Sequence, residues 1–210
     1  MPRRTQTERT DRTTAALVAA ARELFGRDGY AATGIDAVAA AGGVTKGAAY
    51  HHFQNKAALF RAVFVHEQRR ISARLEQAAA AEPDSWSALL RGCLTFLEHC
   101  LDPTFRQVVL LDGPAVLGWE TVREIEREHT LRVLTAGIGA AIADGRMAGG
   151  DPLVRAQLMF GALCEAGMLL ARAGDPAGAL PAVAAEAARL LGSVAAEPPE
   201  NRPGGPPGSG

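Results

Sequence analysis

Aromatic side chains and cysteines are scarce in this sequence of 210 residues. Aromatics make up 5% of the chain, and the three cysteines are Cys93, Cys100 and Cys164. They form neither a C-x-x-C pair nor a Cys/His set with metal-ligand spacing. We therefore expect reduced, buried thiols in a cytoplasmic protein. A redox-sensing pair is the alternative, although Cys93 and Cys100 would lie two turns apart on one helix, too far for a direct bridge.

Catalytic and membrane signatures are missing as well. The sequence has no nucleophile elbow, no metal-ligand spacing and no phosphate-binding glycine loop, and we expect neither a cofactor nor a metal. The polar and basic stretch Pro2–Arg12 is followed by no apolar segment of signal-peptide type, so we expect no signal peptide. The longest apolar stretch, Leu153–Ala171, is interrupted by Arg155, Gln157 and Glu165, which argues against a membrane span.

Charge is nearly balanced overall but unevenly distributed. The formal net charge is −1. Residues 1–75 hold 12 Lys/Arg and 6 Asp/Glu, a charge of +6, whereas residues 76–210 hold 10 and 17, a charge of −7. A basic N-terminal part is typical of a nucleic-acid contact, although a merely solvated surface can carry the same excess.

Helical periodicity runs through the chain, and no strand-like alternation or internal repeat is present. The pattern predicts an all-α fold of about nine helices, with a first helix that Gly29 ends and a helix capped by Ser85. A long helix at about 56–81 links two parts of the chain. Further helices are predicted at about 85–100, 103–111, 119–144, 153–172 and 177–194. The proline and glycine of 197–210 predict a disordered tail.

The most informative segment is GVTKGAAYHHF, Gly43–Phe53. Gly42 and Gly43 permit a sharp turn, and Thr45 offers an oxygen that caps the helix that follows. Polar groups suited to phosphates and base edges recur on one side of this helix, while apolar residues recur on the other. The polar set is Thr45, Lys46, Tyr50, His51 and His52.

A second short helix precedes that segment. Ile35, Val38 and Ala39 recur at helical spacing, and Thr33 is the expected N-cap. Two short helices joined by a glycine turn form a helix-turn-helix. A plain helical hairpin in a core is the alternative, and the density of Lys, Tyr and His on one face favours DNA binding.

Residues from about Thr10 to Phe64 resemble the N-terminal DNA-binding domain of the TetR (tetracycline-repressor) family of bacterial transcription regulators. The matching motifs are G-Y-x-x-T from Gly29, V-A-x-x-x-G-V from Val38, T-K-G-x-x-Y-H-H-F from Thr45 and N-K-x-x-L from Asn55. The resemblance implies a helix-turn-helix domain with a basic N-terminal arm at 1–55. It also implies a ligand-binding and dimerisation domain at 56–196, before the tail at 197–210.

The resemblance also implies DNA contacts by position. They fall on Thr33, Thr45, Lys46, Gly47, Ala48, Tyr50, His51 and His52, with Lys56 on phosphate. Among these, Lys46 is best able to discriminate bases, through guanine acceptors in the major groove. The arginines of the arm (Arg3, Arg4, Arg9 and Arg12) are candidates for added phosphate contacts, with a merely disordered arm as the alternative.

The last two long helices carry more apolar surface than one small domain can cover. The helix at 153–172 is apolar nearly all round, and the next helix carries an apolar stripe. A second copy of the chain can supply the cover, and the resemblance implies the same helix pair as a homodimer interface. We expect the interface at Leu158, Leu163, Leu170, Val183, Ala187, Leu190 and Leu191. A monomer with a central apolar helix is the alternative.

A small-molecule pocket among the central helices is a further implication of the resemblance. The residues that could line it are Phe96, Cys100, Phe105, Val109, Trp119, His129, Cys164, Glu165 and Met168. Any of them can also be plain core. Glu165, His129 and Trp119 are the more informative ones, because buried polar groups need partners and a ligand can be one.

Together these features predict a regulator, most commonly a repressor, that binds an inverted-repeat DNA operator as a dimer and responds to a small-molecule effector. Two other classes remain open. A helical enzyme would have to use Cys164 with Glu165, or His51 with His52, for acid–base or nucleophilic work. An architectural DNA-binding protein would lack only the response to a ligand.

Overall fold

The computed structural model describes residues 6–193 and Ala195. Arg3 and Arg4 of the predicted arm, and the predicted tail at 197–210, lie outside the described residues, whereas Arg12 lies within the first helix. The described residues form helices joined by short connections, plus one isolated bridge between Met147 and Ala195.

The helices follow one another in this order: α1 (Gln6–Ala32), α2 (Ile35–Ala41), α3 (Lys46–His52), α4 (Lys56–Ala80), α5 (Ser85–His99), α6 (Pro103–Phe105), a π-helical segment (Arg106–Asp112), α7 (Gly113–Leu117), α8 (Trp119–Glu128), α9 (Thr130–Ala143), α10 (Pro152–Arg172) and α11 (Pro176–Gly192). The all-α fold predicted from the sequence is confirmed, with an N-terminal helix-turn-helix followed by a larger helical domain.

The helix-turn-helix packs around a small apolar core from α1, α2 and α3. Leu17, Phe25, Val38 and Ala49 are its most buried members, each at most 1% exposed. The regular helix of α1 is interrupted at Gly29, whose φ of 77° is open to glycine and strained for other residues. The helical signal therefore ends where the sequence predicted it, although one more turn follows.

Helix α4 connects this small core to the rest of the molecule. Phe60 of α4 packs edge-on against Phe25 and Tyr30 of α1, with ring centroids 5.2 Å apart in both pairs. Further along, Phe64 and Ile71 are fully buried against the larger domain. One helix thus belongs to both cores.

Three local predictions were wrong. The predicted helix at 119–144 is two helices, because His129 leaves helical geometry at φ −125° and ψ −100°. Asp84, not Ser85, caps α5, since its Oδ1 accepts hydrogen bonds from two backbone N–H groups. Gly34 occupies the N-cap position of α2, and the Thr33 hydroxyl instead donates to the Gly29 carbonyl at 2.9 Å.

Helix α10 is long and apolar enough to cross a membrane by length and composition. It packs, however, against α9 and α11 within the molecule. Its sequence also includes Arg155 and Glu165, so this one helix is insufficient evidence for a span.

Candidate nucleic-acid interface and effector cavity

The turn before α3 is built by its glycine and threonine. Gly43 has a φ of 65°, which lets the chain reverse after α2. Thr45 then occupies the N-cap position, and its Oγ1 accepts a hydrogen bond from the Ala48 N–H at 3.2 Å. Because Ala49 is buried against the other two helices, the opposite side of α3 faces outward.

The outward side of α3 carries Lys46, Gly47, Tyr50 and His51, all exposed. The space around Gly47 is open, so its backbone can be approached closely. The Lys46 Nζ lies 2.6 Å from the Asp36 Oδ2 of α2, and this hydrogen bond raises the lysine pKa. Lysine bound in this way must exchange the carboxylate for another partner before it can reach a nucleic acid.

Other residues predicted to contact DNA point elsewhere. Thr33 is only 4% exposed, its hydroxyl donates inside the domain, and its N–H donates to the Tyr30 carbonyl at 3.3 Å. His52 is half-buried, with its Nδ1 3.1 Å from the Thr14 hydroxyl of α1. The Lys56 Nζ donates to the Tyr30 carbonyl at 2.9 Å and lies 4.2 Å from the centre of the Tyr30 ring. Lys56 thus fastens α4 to the end of α1.

A charged junction joins the helix-turn-helix to the larger domain. Arg22 of α1 donates to Glu67 of α4 at 2.6 Å and to Asp102, the N-cap of α6, at 3.1 Å. Glu67 is fully buried and also accepts from Arg70. Arg22 thus ties α1 to α4, and this buried carboxylate needs its cationic partners because loss of one leaves charge uncompensated.

His99 lies beside this junction and is 2% exposed. Its Nδ1 accepts from Arg74 at 3.0 Å, and burial lowers its pKa to about 4. Ligand atoms of Glu67, His99 and Asp102 come within 4.8 Å of one another, a spacing open to a metal ion. The arginine partners of these groups already supply the positive charge there.

A cavity of about 250 Å³ lies among α4, α5, α7, α8 and α10. Six of the residues predicted to line a pocket do line it: Phe96, Val109, Trp119, Cys164, Glu165 and Met168. Three predicted pocket residues do not. Cys100 and Phe105 are fully buried core, and His129 lies at the break between α8 and α9.

The most polar parts of this cavity escaped sequence reasoning. Gln68 of α4 and Glu126 of α8 line it at 1% and 5% exposed, and Arg123 joins them from α8. Arg123 donates to Glu126 at 3.1 Å, and its guanidinium lies 4.4 Å from the centre of the Trp119 ring. Burial raises the pKa of Glu126 to about 7, with Arg123 opposing the shift. The sequence did contain a signal for these two charged residues. Val122 and Ile125 recur at helical spacing, which places Arg123 and Glu126 beside a buried apolar stripe.

All three cysteines are free thiols. Burial raises the pKa of Cys93 and Cys100 to about 12, so both stay protonated and unreactive at neutral pH. Cys164 is half-buried and lines the cavity. The thiol groups therefore contribute packing and a soft cavity wall.

The face formed by α10 and α11 is apolar and exposed. Leu158, Leu169 and Leu190 are 73%, 53% and 65% exposed, and a groove of about 490 Å³ runs between the two helices. Of the predicted interface residues, five line this groove: Leu163, Val183, Ala187, Leu190 and Leu191. Leu163, Leu170 and Leu191 are at most 6% exposed, because they pack into the chain's own core. Leu163 and Leu191 nevertheless line the groove, whereas Leu170 is fully buried and does not.

A helix-turn-helix with an outward second helix, joined to a larger helical domain with a cavity, defines a DNA-binding regulator. Residues 17–63 match the family described as "Bacterial regulatory proteins, tetR family", and residues 86–194 match "Tetracyclin repressor-like, C-terminal domain". The chain belongs to the TetR family of DNA-binding transcriptional regulators. Proteins of this family are regulators, not enzymes.

Individual relatives agree with this assignment. The chain is 29% identical to the transposon Tn10 TetC protein of Escherichia coli over 156 residues, which cover 74% of this chain and 79% of that protein. A TetR-family regulator from Pectobacterium atrosepticum has the same fold at a TM-score of 0.81, with 32% identity over 93% of this chain and all of that one. The regulator FadR of Bacillus subtilis, solved with stearoyl-CoA, matches at a TM-score of 0.67 and 20% identity over 82% of this chain and 96% of its own, which shows the fold alone.

Proposed function

We propose that the chain is a repressor that binds an inverted-repeat DNA operator through α3 as a homodimer and is released when a small molecule occupies the cavity. The observation that carries the proposal is the outward face of α3, where Lys46, Tyr50 and His51 are exposed on a helix whose other side is buried. A helix of seven residues spans only a few base pairs, so specificity needs two copies and two half-sites.

The contacts divide by side-chain chemistry. Lys46 reads guanine acceptors in the major groove once it leaves Asp36, while Tyr50, His51 and the Gly47 backbone approach phosphates and base edges. Thr45 and Ala48 border the same face. Thr33 contributes chiefly by closing the end of α1, while His52 ties α3 to α1 and Lys56 ties α4 to α1. The domain boundary falls between residues 55 and 56, where α4 begins.

The experiment is selection from a randomised duplex library, followed by fluorescence anisotropy on the selected site. We expect an inverted repeat, with half-sites about one helical turn or a multiple of it apart. Lys46→Ala should cost about 1–3 kcal/mol and relax the sequence preference. Arg132→Ala, which removes an exposed arginine of α9, is the control and should leave affinity unchanged. Unchanged affinity and preference in Lys46→Ala would remove α3 from the recognition role.

The α10–α11 face is the proposed dimer interface, and it buries in the complex the exposed leucines that the single chain leaves uncovered. Leu158→Glu and Leu190→Glu place charge in an apolar seam and should dissociate the dimer. Leu111→Glu, at an exposed leucine outside this face, is the matched control. Sedimentation measures the outcome. Intact dimers in both seam variants would move the interface elsewhere.

Release by a ligand follows from the position of the cavity. Gln68 lies next to Glu67 on α4, so the cavity wall and the charged junction to α1 share one helix turn. Val109 of the π-helical segment lines the cavity, while Asp112 of the same segment accepts from the Tyr30 N–H at 2.8 Å. A ligand that shifts α4 or this segment alters the spacing of the two α3 helices, and DNA weakens the ligand by the same factor.

A DNA-binding protein without a ligand response is the second candidate, favoured if the cavity is only a packing defect. Native mass spectrometry of the purified protein tests this, because a co-purified molecule would identify the effector. Saturation with that molecule should weaken DNA binding, and Trp119→Ala should blunt the response with ligand-free affinity preserved. Unaltered DNA affinity at saturation would favour the second candidate. A regulator of this type acts in the cytoplasm, where the operator lies.

A further inference from the structure

The cavity beneath α8 has an unequal supply of hydrogen-bonding groups. A guanidinium carries five N–H donors on three nitrogens. Of the three nitrogens of Arg123, only Nη1 has a hydrogen-bond acceptor within residues 6–193, and that acceptor is Glu126. Gln68 accepts from the Thr130 hydroxyl, but its Nε2 donates to no acceptor in the described part of the chain. Both side chains line the cavity. Most of the polar groups in the cavity without a hydrogen-bond partner are therefore N–H donors, which favours a ligand with acceptor oxygens.

The charges inside the cavity favour an anion. Arg123 and Glu126 form a neutral pair, while Glu165 at the rim is 63% exposed and pairs outward with Arg172. A cation would meet the Arg123 guanidinium, already held against the Trp119 ring. An anion would pair with Arg123 in the two-pronged geometry that guanidinium and carboxylate share. Glu126 can then take up a proton, because burial has already raised its pKa to about 7.

The remainder of the cavity is apolar and small. Phe96 and Phe160 meet edge-to-face, with centroids 5.8 Å apart, and Val109 and Met168 also line this cavity. A volume of about 250 Å³ corresponds to roughly eight water molecules at about 30 Å³ each. Arg123 and Trp119 also line an outer cleft, together with Arg127. Arg123 and Trp119 thus lie at the boundary between the cavity and this cleft.

We propose that this cavity binds a small apolar monocarboxylate, with the carboxylate on Arg123 and the hydrocarbon body against Phe96 and Phe160. The inference rests on the proposed ligand-responsive function and names its ligand class. The charged and titratable groups that face Glu126 in the cavity are Arg123 on its own helix and Cys164 and Glu165 on α10. The walls from α4, α5, the π-helical segment and α7 add Gln68 and apolar side chains.

Calorimetry on the full-length chain without DNA tests the proposal with three probes of one shape: 3-phenylpropanoate, 3-phenylpropanamide and 3-phenylpropylammonium. The carboxylate should bind at least tenfold more tightly than the amide, and the ammonium should not bind. Above pH 7 the carboxylate affinity should fall with rising pH, because binding then requires proton uptake by Glu126. The heat should depend on the buffer's own ionisation enthalpy.

Variants separate a role in binding from a role in folding. Arg123→Gln and Arg123→Lys should lose all or most of the preference for carboxylate over amide, whereas Arg132→Gln, at an exposed arginine of α9 outside the cavity, should keep it. Glu126→Gln imitates the protonated acid, so it should bind carboxylate at least as tightly as the unaltered chain and lose the pH dependence.

Equal affinity for carboxylate and amide, tighter binding of the ammonium, or no binding of any probe would overturn the proposal. Because DNA is absent from these titrations, such a failure leaves salt-dependent operator binding intact. Failure of operator binding with carboxylate binding preserved would overturn the regulatory function instead.

Discussion

Substitution of Asp36 by Asn should increase DNA affinity. The Asp36 carboxylate holds the Lys46 ammonium at 2.6 Å, and both side chains are more than half exposed. DNA must take Lys46 away from this partner, and the carboxylate itself repels phosphate. Asparagine keeps the size of the side chain and removes its charge, so the cost of releasing Lys46 disappears.

The magnitude follows from the exposure of the pair. Exposed ion pairs are worth about 0.2–1 kcal/mol, and a dimer that engages two half-sites counts this energy twice. At about 1.4 kcal/mol per tenfold change, the expected gain is roughly twofold to thirtyfold in the dimer's affinity. The gain should shrink as salt rises, because exposed charges are screened.

Glu76→Gln is the matched control for this experiment. Glu76 forms an exposed ion pair with Arg132 at 2.7 Å. It lies twenty residues along α4 from Lys56, about 30 Å at about 1.5 Å per residue. Both substitutions raise the net charge by one. Anisotropy titrations of the selected duplex at several salt concentrations compare them. An Asp36→Asn variant that binds no better than Glu76→Gln would refute the assigned role of Lys46.

Three further predictions concern stability. Gly113→Ala should lower the free energy of unfolding, measured by chemical denaturation, by about 1–3 kcal/mol, because a Cβ at this position would lie 2.6 Å from the Phe64 ring. The control Gly139→Ala, in open space within α9, should be neutral or stabilising. Lys56→Ala should lower the free energy of unfolding by about 1–2 kcal/mol, since its ammonium bonds the carbonyls that end α1; unchanged stability would contradict that anchoring role. Burial lowers the pKa of His99 from 6.5 to about 4. Between these two pH values the unfolded chain binds more protons than the folded chain, so the free energy of unfolding should fall as the pH falls from about 6.5 to about 4. The decline should be shallower in His99→Leu, and equal slopes would contradict this assignment.

The helix-turn-helix was accessible to sequence reasoning because its signals are local. The positive φ of Gly43 and the cap by Thr45 each involve residues within a few positions of one another. Three predicted contact residues bond inside the protein instead: Thr33 and Lys56 to backbone carbonyls, and His52 to the Thr14 hydroxyl. The spacing of side chains along a sequence carries no information about such distant partners.

The cavity and the dimer face were less accessible because they depend on which side of a helix faces another helix. Leu163 and Leu158 both belong to the apolar surface of α10, yet one is 6% and the other 73% exposed. Glu126 is one of many charges in the sequence of α8, and it is buried because it faces the cavity among α4, α8 and α10. Long-range packing thus decided the roles that composition and periodicity left open.

The most direct test of the central claim is the salt dependence of binding to the selected inverted repeat, with the number of chains per duplex determined in the same titrations. We expect two chains per duplex and a slope of log K against log salt of about −4 or steeper, because each neutralised phosphate contributes about 0.9. A flat slope, or one chain bound to an asymmetric site, would contradict a dimeric regulator that reads DNA through α3.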